Sequence, residues 1–282
     1  TISPHGPVFF FFFYILDQDT LTGDLGQFGV KEVELSYNLD EKFTKEIVKA
    51  SNTQDLQVVR INEAAARKFN VDLKLDHGVL VPMYYLDQAG VDAPLVPINM
   101  GLLAYEDLYK FGKIIQLIAQ QLDYKVALIA SGDLSHRLKP GAPAGFNPRG
   151  QEFDETLIQY LDDLAVEEII NLDDSLVEKA GECGLRPIVM MLGALDGLDT
   201  EGGVLSYEGP FGVGYGVAAY QVSGKSEEPG FLEKLEDNKQ QRLAEIRENE
   251  SKPVQLARRA VEEYAKNDEK IDPPQDLDGD LL

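Results

Sequence analysis

The spacing of apolar positions along the chain predicts an alternation of strands and helices. The clearest helix covers residues 105–122, where apolar side chains recur at three- and four-residue steps and form one stripe. It is followed by "KVALIASG" (residues 125–132), a continuous apolar run typical of a strand that is covered on both faces. A helix, a buried strand and then a polar loop indicate an α/β protein.

Shorter elements continue this alternation. We predict strands at residues 1–3, 32–35 and 57–61 and within "APLVPINMG", helices at residues 40–51 and 64–69, mostly helical chain over residues 150–195, and two closing strands near 204–207 and 213–222. The closely spaced glycines of "GPFGVGYGVA" lie between those last two strands. We interpret them as a turn rather than a phosphate-binding loop, because no helix follows them.

The character of the chain changes after Gly224. Residues 1–224 are predicted to form the first domain, and the charged segment 225–252 a partly helical linker. Residues 253–282 open with an amphipathic helix that has Pro253 in its first turn, and we interpret them as the beginning of a second domain. The alternative is a terminal helix that packs back onto the first domain.

Composition excludes several classes of partner. The 282 residues include 26 basic and 49 acidic ones, and the formal charge of −23 argues against nucleic acid or an anionic membrane as the main partner. A single cysteine, Cys183, excludes an internal disulfide framework and a cysteine-cluster zinc site, and it favours a reduced, cytoplasmic protein. The apolar stretch at residues 8–16 lacks the basic segment and cleavage site of a signal peptide. It is also shorter than the roughly 18 residues of a membrane span.

The three histidines carry the candidate chemistry. His5, His77 and His136 occur in the polar turns "SPHGP", "LDHGV" and "GDLSHRL", each after a predicted strand. Because ligand sites of open α/β sheets gather at the carboxyl ends of strands, we predict one shared site. Asp133 could orient His136 or cap a helix. A hydrolytic triad of Ser131 or Ser135 with these two residues is less favoured, because no GxSxG elbow is present.

A metal ligand is predicted in "GECG". Glu182 and Cys183 precede a predicted helix, whose free amide groups would stabilise an anion. Histidine nitrogens with one carboxylate and open coordination positions are the arrangement of non-heme Fe(II) sites. The alternatives are that Glu182 is an ordinary charge at a helix start and that Cys183 is a small buried residue.

Taken together, the motifs resemble a known family. "ISPHGPVF", "LDHGVLVPMYYL", "VPINMG", "ASGDLSHRL" and "GECGLRP" follow one another, over roughly residues 1–222, in the order found in the LigB-like family of class III extradiol ring-cleaving dioxygenases. The resemblance implies a three-layer α/β/α sandwich with a central, mostly parallel or mixed sheet. It also implies an Fe(II) cofactor.

The same resemblance assigns roles to individual residues. His5 matches a metal-binding histidine, and Glu182 matches the metal-binding carboxylate, with Cys183 as its alternative. The catalytic residues implied are the acid/base His136, its neighbour Asp133, and His77 as a contact to substrate or O2.

Two functions remain open. The resemblance implies cleavage of a small aromatic diol by O2, by a protein that could also form a homo-oligomer. The alternative is a non-catalytic, Memo-like module of the radical-SAM-linked AmmeMemoRadiSam system. The segment "SKPVQLARRAVEEYAK" resembles the start of the second domain of a protein of that system. The family's first histidine ligand lies in a His-Pro motif upstream of "SPHG". We therefore expect a chain truncated at both ends, with an incomplete metal site. A metal-dependent hydrolase is less favoured, because a second carboxylate-rich cluster is lacking.

Overall fold

A computed structural model of the chain describes residues 1–268 and 270. The chain divides into two compact units, Thr1–Gly230 and a second unit that begins at Phe231. No helix in the described part of the chain is both long and apolar enough to cross a membrane.

The first unit alternates strands and helices, as the apolar pattern predicts. Its strands are β1 (Ile2–Ser3), β2 (Phe13–Leu16), β3 (Thr20–Leu25), β4 (Val30–Asn38), β5 (Val58–Ile61), β6 (Ile98–Asn99), β7 (Leu198–Glu208) and β8 (Tyr215–Lys225). Its helices are α1 (Glu41–Asn52), α2 (Glu63–Phe69), α3 (His77–Gln88), α4 (Tyr105–Gln121), α5 (Arg149–Asp162), α6 (Val166–Ile170), α7 (Asp174–Ala180) and α8 (Leu185–Leu195). A short 3-10 helix, Gly26–Phe28, lies between β3 and β4.

The central sheet is mixed. Its strand order is β1-β6-β2-β5, with β1 parallel to β6, β2 parallel to β5, and β2 antiparallel to β6. Two antiparallel hairpins, β3–β4 and β7–β8, complete the described strands. The predicted α/β class and mixed sheet are therefore confirmed.

A row of polar residues crosses this sheet. Asn99 of β6 is paired with Ser3 of β1 on one side and with Tyr14 of β2 on the other. Directly paired residues present their side chains on the same face of a sheet, so the three side chains share one face. All three polar residues are buried, and each is next in its strand to a buried isoleucine: Ile2, Ile15 or Ile98.

Capping side chains explain where several helices begin. Asp40 accepts a hydrogen bond from the Phe43 N–H at the start of α1, and Asn62 accepts from Ala64 and Ala65 at the start of α2. These bonds satisfy amide groups that have no partner within the helix. The predicted starts of both helices thus have a local cause in the sequence.

The prediction for residues 125–132 is wrong. The segment runs beside β1, where Ile2 N–H donates to the Ile129 carbonyl at 2.8 Å and Ser131 N–H donates to the Ile2 carbonyl at 3.0 Å. Its pairing is limited to one bridge between Ile2 and Ala130, because β1 is only two residues long. Val126 is 42% exposed, so the run is not covered on both faces.

The five consecutive phenylalanines at residues 9–13 divide between core and surface. Phe13 opens β2 and stacks on Phe111 of α4, with ring centroids 4.2 Å apart. Phe9 and Phe12 stack on each other at 4.4 Å, whereas Phe10 and Phe11 are exposed. The apolar run thus contributes Phe13 to the core and leaves Phe10 and Phe11 on the surface.

The second unit contains α9 (Phe231–Glu248) and α10 (Lys252–Asn267). Pro253 lies in the first turn of α10, as the sequence predicts. Arg258 of α10 pairs with Glu250 at 2.8 Å. Residues 269 and 271–282 lie outside the described residues, and the division into a linker and a second domain stays a prediction.

Helices α4 and α8 cross at very short range because each has a glycine at the crossing. A side chain at Gly112 would overlap the Met190 carbonyl oxygen, and one at Gly193 would overlap the Tyr109 carbonyl oxygen. We predict that Gly112→Ala destabilises the protein by about 1–3 kcal/mol, because a well-packed crossing cannot take up an added methyl group. Urea unfolding measures this loss.

Gly224→Ala is the matched control. A Cβ at Gly224 has no heavy atom within 4 Å, so this variant should stay within about 0.5 kcal/mol of the parent protein. Equal stability of the two variants would contradict the crossing as described.

Candidate metal and substrate site

The turn that carries His5 is tied to the start of α3. Ser3 Oγ donates a hydrogen bond to Asp76 Oδ1 at 2.6 Å and accepts one from the His5 N–H at 3.3 Å. Asp76 also caps α3, accepting from Gly78 N at 2.8 Å and Val79 N at 3.3 Å. One carboxylate therefore fixes two turns that are far apart in sequence.

This connection brings two of the three histidines together. The rings of His5 and His77 lie 3.9 Å apart, and the Gln27 amide contacts His77 Nδ1 at 3.4 Å. His77 is the first residue of α3 and does not directly follow a strand, which corrects the predicted setting. The Asp76 cap is the cause, because it starts a helix at that residue.

A second junction joins the loop of His136 to the segment before α8. The Asp133 carbonyl accepts hydrogen bonds from Cys183 N at 3.2 Å and Gly184 N at 2.9 Å. The Asp133 N–H donates in turn to Cys183 Sγ at 3.1 Å. A Cβ at Gly132 would lie 2.6 Å from the Gly184 Cα, so the approach requires glycine at this point.

The junction gathers three side chains that could bind a metal. Donor atoms of Asp133, His136 and Cys183 all lie within 4.8 Å of one another, and no other group of three such residues occurs in residues 1–268 and 270. His136 Nε2 donates to Asp133 Oδ2 at 3.2 Å. Hydrogen bonds with Asp133 and then with Cys183 raise the pKa of His136 to about 10.

Glu182 binds the start of α8 and also interacts electrostatically with His136. Its Oε2 accepts a hydrogen bond from Leu185 N at 2.7 Å, at the first turn of α8. Burial raises the pKa of its carboxyl group. Of the two adjacent candidates in "GECG", the structure thus groups Cys183 with His136 and uses Glu182 to cap α8. The metal-binding role of either residue stays a prediction.

His5 interacts electrostatically with both groups of side chains. Burial, and then the neighbouring His77, lower the pKa of His5, and the charges of Asp133 and His136 also act on it. No hydrogen bond to its ring nitrogens occurs among the described residues. A neutral imidazole with free nitrogens is the form that binds metals.

A cavity of about 380 Å³ opens beside these histidines. His5, His77, Tyr14 and Asn99 are among its lining residues. Neither Tyr14 nor Asn99 is predicted as a site residue from the sequence. Each is a single polar residue within an apolar strand, and only the strand register shows that the two are neighbours.

Asp154 holds the loop that carries His136 through a hydrogen bond to the Ser135 backbone. Its carboxylate is fully buried and accepts hydrogen bonds from Ser135 N and from the Tyr207 hydroxyl, both at 2.8 Å. Ser135 Oγ donates to the Ala180 carbonyl at 3.0 Å, away from His136. This position argues against Ser135 as the nucleophile of a hydrolytic triad.

Comparison with known proteins places the chain in a family. The family described as "Catalytic LigB subunit of aromatic ring-opening dioxygenase" matches residues 1–218. The chain belongs to this family, and the resemblance drawn from its motifs is confirmed.

Three curated relatives illustrate the range of the matches. Protein CA_C1420 of Clostridium acetobutylicum is 32% identical over 271 residues, covering 96% of this chain and 58% of that protein. The 3,4-dihydroxyphenylacetate 2,3-dioxygenase of Escherichia coli is 30% identical over 142 residues, covering 46% and 50%. MEMO1 family protein MMP1387 of Methanococcus maripaludis is 30% identical over 114 residues, covering 40% and 36%. The chain thus spans about half the length of the first two relatives.

The buried Asp154 predicts a pH dependence of stability. Burial raises its pKa to about 6, above the value of about 4 expected in the unfolded chain. The folded protein therefore binds the proton more tightly, and this contribution to stability is lost as pH rises from about 4 to about 6. In Asp154→Asn, which cannot ionise, the difference in unfolding free energy from the parent should change by up to about 3 kcal/mol across this window. Urea unfolding at several pH values measures it.

Tyr207→Phe serves as the comparison variant. The Tyr207 hydroxyl lowers the pKa of Asp154 by donating to its carboxylate, so its removal should extend the upper end of the window to higher pH, while the lower end, set by the unfolded chain, stays in place. An unchanged pH profile in both variants would show that Asp154 does not titrate in this way.

Proposed function

We propose that the protein is a non-heme Fe(II) dioxygenase of the extradiol type, which opens the ring of a catechol-type substrate with O2. The observation that carries the proposal is that Cys183 lies within 4.8 Å of the hydrogen-bonded pair of Asp133 and His136, in a LigB family chain whose His5 and His77 line a cavity. Family membership supports ring-opening chemistry, and the name of the E. coli relative specifies an aromatic diol for that protein.

The residues present fit a first-row transition metal ion. Imidazole nitrogen, carboxylate oxygen and thiolate sulfur are ligands that such ions take in proteins. His5 and Cys183 would hold the ion, with Glu182 as the alternative carboxylate. When bound, Fe(II) would supply the redox chemistry that joins the diol to O2.

In this reaction the side chains of the protein would move a proton. Both atoms of O2 enter the ring-opened product, so no external reductant is needed. His136 is hydrogen-bonded to Asp133, whose negative charge stabilises the imidazolium. His136 would donate its proton to a developing oxygen anion and recover one from a substrate hydroxyl, while His77 contacts the ring or O2.

A second function is a non-catalytic binding module of the Memo type. The matches to MEMO1 family proteins and the separate helical unit that begins at Phe231 favour it. This protein and the dioxygenases of the family would then share a metal or ligand site but differ in chemistry. A cytoplasmic location and a homo-oligomer remain predictions under either function.

We predict that iron binding and oxygen uptake can be separated by one substitution. The purified protein, loaded anaerobically, should bind about one equivalent of Fe(II) and consume O2 with catechol or 4-methylcatechol. His136→Ala should keep the iron but lose at least ~100-fold in the rate of uptake, because the proton donor is removed. An oxygen electrode and iron analysis measure the two quantities.

Ser131→Ala is the control in the same loop and should retain full oxygen uptake. No uptake with any catechol at full iron loading would contradict the dioxygenase. If the iron-loaded protein instead forms a stable complex with another protein, the binding module is supported.

A further inference from the structure

The floor of the cavity carries a buried polar atom without a partner. Ser3, Asn99 and Tyr14 lie in register on adjacent strands, and Ser3 is hydrogen-bonded to Asp76. Asn99 Oδ1 is buried and has no hydrogen-bond partner among the described residues. The Tyr14 hydroxyl, which lines the same cavity, is not hydrogen-bonded to any described residue either. Buried polar atoms are almost always paired, so Asn99 Oδ1 indicates a ligand at this point of the cavity.

Gly6 packs directly against these two groups. A side chain at this position would overlap both the Tyr14 hydroxyl oxygen and Asn99 Oδ1. Gly6, Tyr14 and Asn99 all line the cavity beside His5 and His77. The two polar groups are therefore next to the candidate site and belong to the same cavity.

The chemistry of the floor matches a hydroxyl group. Asn99 Oδ1 is an acceptor, and the Tyr14 hydroxyl is a donor that burial keeps protonated by raising its pKa. One ligand hydroxyl can accept from Tyr14 and donate to Asn99 at the same time.

The charges around the cavity disfavour an anion. Its lining includes the carboxylates of Asp24, Asp72 and Asp76 but only one lysine, Lys74. Lys74 Nζ is already paired with Asp24 Oδ2 at 2.9 Å. Asp72 and Asp76 are therefore not balanced by a free lysine of the lining, and an uncharged or cationic ligand is favoured.

We infer that this cavity selects the ring substrate: Asn99 and Tyr14 bind one of its hydroxyl groups, and the lining carboxylates favour an uncharged or cationic substituent over a carboxylate. As a statement about substrates, the inference rests on the proposed function. As a statement about binding, it can be tested without turnover.

The first test compares three diols that differ in charge. Isothermal titration calorimetry under anaerobic conditions would use dopamine, 4-methylcatechol and 3,4-dihydroxyphenylacetate, with the metal-free and the Fe(II)-loaded protein. Dopamine should bind about tenfold more tightly than 3,4-dihydroxyphenylacetate, and the ratio should fall at high salt. Equal affinities, tighter binding of the carboxylate, or no binding of any of the three would overturn the inference.

The second test separates ligand binding from a structural role. Tyr14→Phe and Asn99→Leu should each lower the affinity for 4-methylcatechol about tenfold, while the melting temperature stays the same or rises, because each removes an unpaired buried group. Tyr220→Phe is the matched control, since its hydroxyl donates to the Leu161 carbonyl at 2.6 Å and Tyr220 is not among the residues lining the cavity. It should lower the melting temperature and leave affinity unchanged. A fall in melting temperature without a loss of affinity in the two cavity variants would overturn the inference.

Oxygen uptake with the same diols tells the two proposals apart. Selective binding without uptake would contradict the dioxygenase and leave the cavity assignment intact. Uptake at equal efficiency with all three diols, unaffected by Asn99→Leu, would overturn the cavity assignment and leave the dioxygenase intact.

Discussion

The carbonyl oxygen of Asp133 accepts two backbone hydrogen bonds, from Cys183 and Gly184, and the candidate metal site depends on this junction. Asp133 and Cys183 are 50 residues apart in sequence, and they are brought into contact where Gly132 passes Gly184 without side chains between them. The carboxylate, the imidazole of His136 and the thiol thereby come within 4.8 Å of one another. Because backbone atoms make the junction, it is more rigid than contacts between flexible side chains would be.

A second junction, between the end of β1 and the start of α3, also depends on an aspartate. Asp76 caps α3 and binds Ser3, so the end of β1 and the start of α3 are fixed by one carboxylate. This positions His5 against His77. The histidine pair lines the cavity, and the charges of Asp133 and His136 act on His5. Burial lowers the pKa of His5, whereas hydrogen bonding to Asp133 raises that of His136. A neutral and a protonated imidazole near each other suit acid/base chemistry beside a metal.

The sequence predicts α1, α2 and α4 well, because apolar periodicity and the capping residues Asp40 and Asn62 are local signals. It does not predict α3 (His77–Gln88). It fails for residues 125–132, since the length of a strand depends on its partner, and β1 offers only two residues. The sequence also does not decide whether Glu182 or Cys183 is the candidate metal ligand. The Glu182 carboxylate accepts a hydrogen bond from the Leu185 amide group, whereas the Cys183 thiol accepts one from the Asp133 amide group, and neither contact can be read from the sequence. Tyr14 and Asn99 become recognisable only once the strand register is known.

Iron K-edge X-ray absorption of the Fe(II)-loaded protein tests our proposal that the junction at Asp133 presents Cys183, rather than Glu182, to the metal. We predict a sulfur ligand in the parent protein that is lost in Cys183→Ser and retained in Glu182→Gln, which can still accept the Leu185 hydrogen bond. A shell of nitrogen and oxygen ligands alone, unchanged in Cys183→Ser and altered in Glu182→Gln, would contradict it.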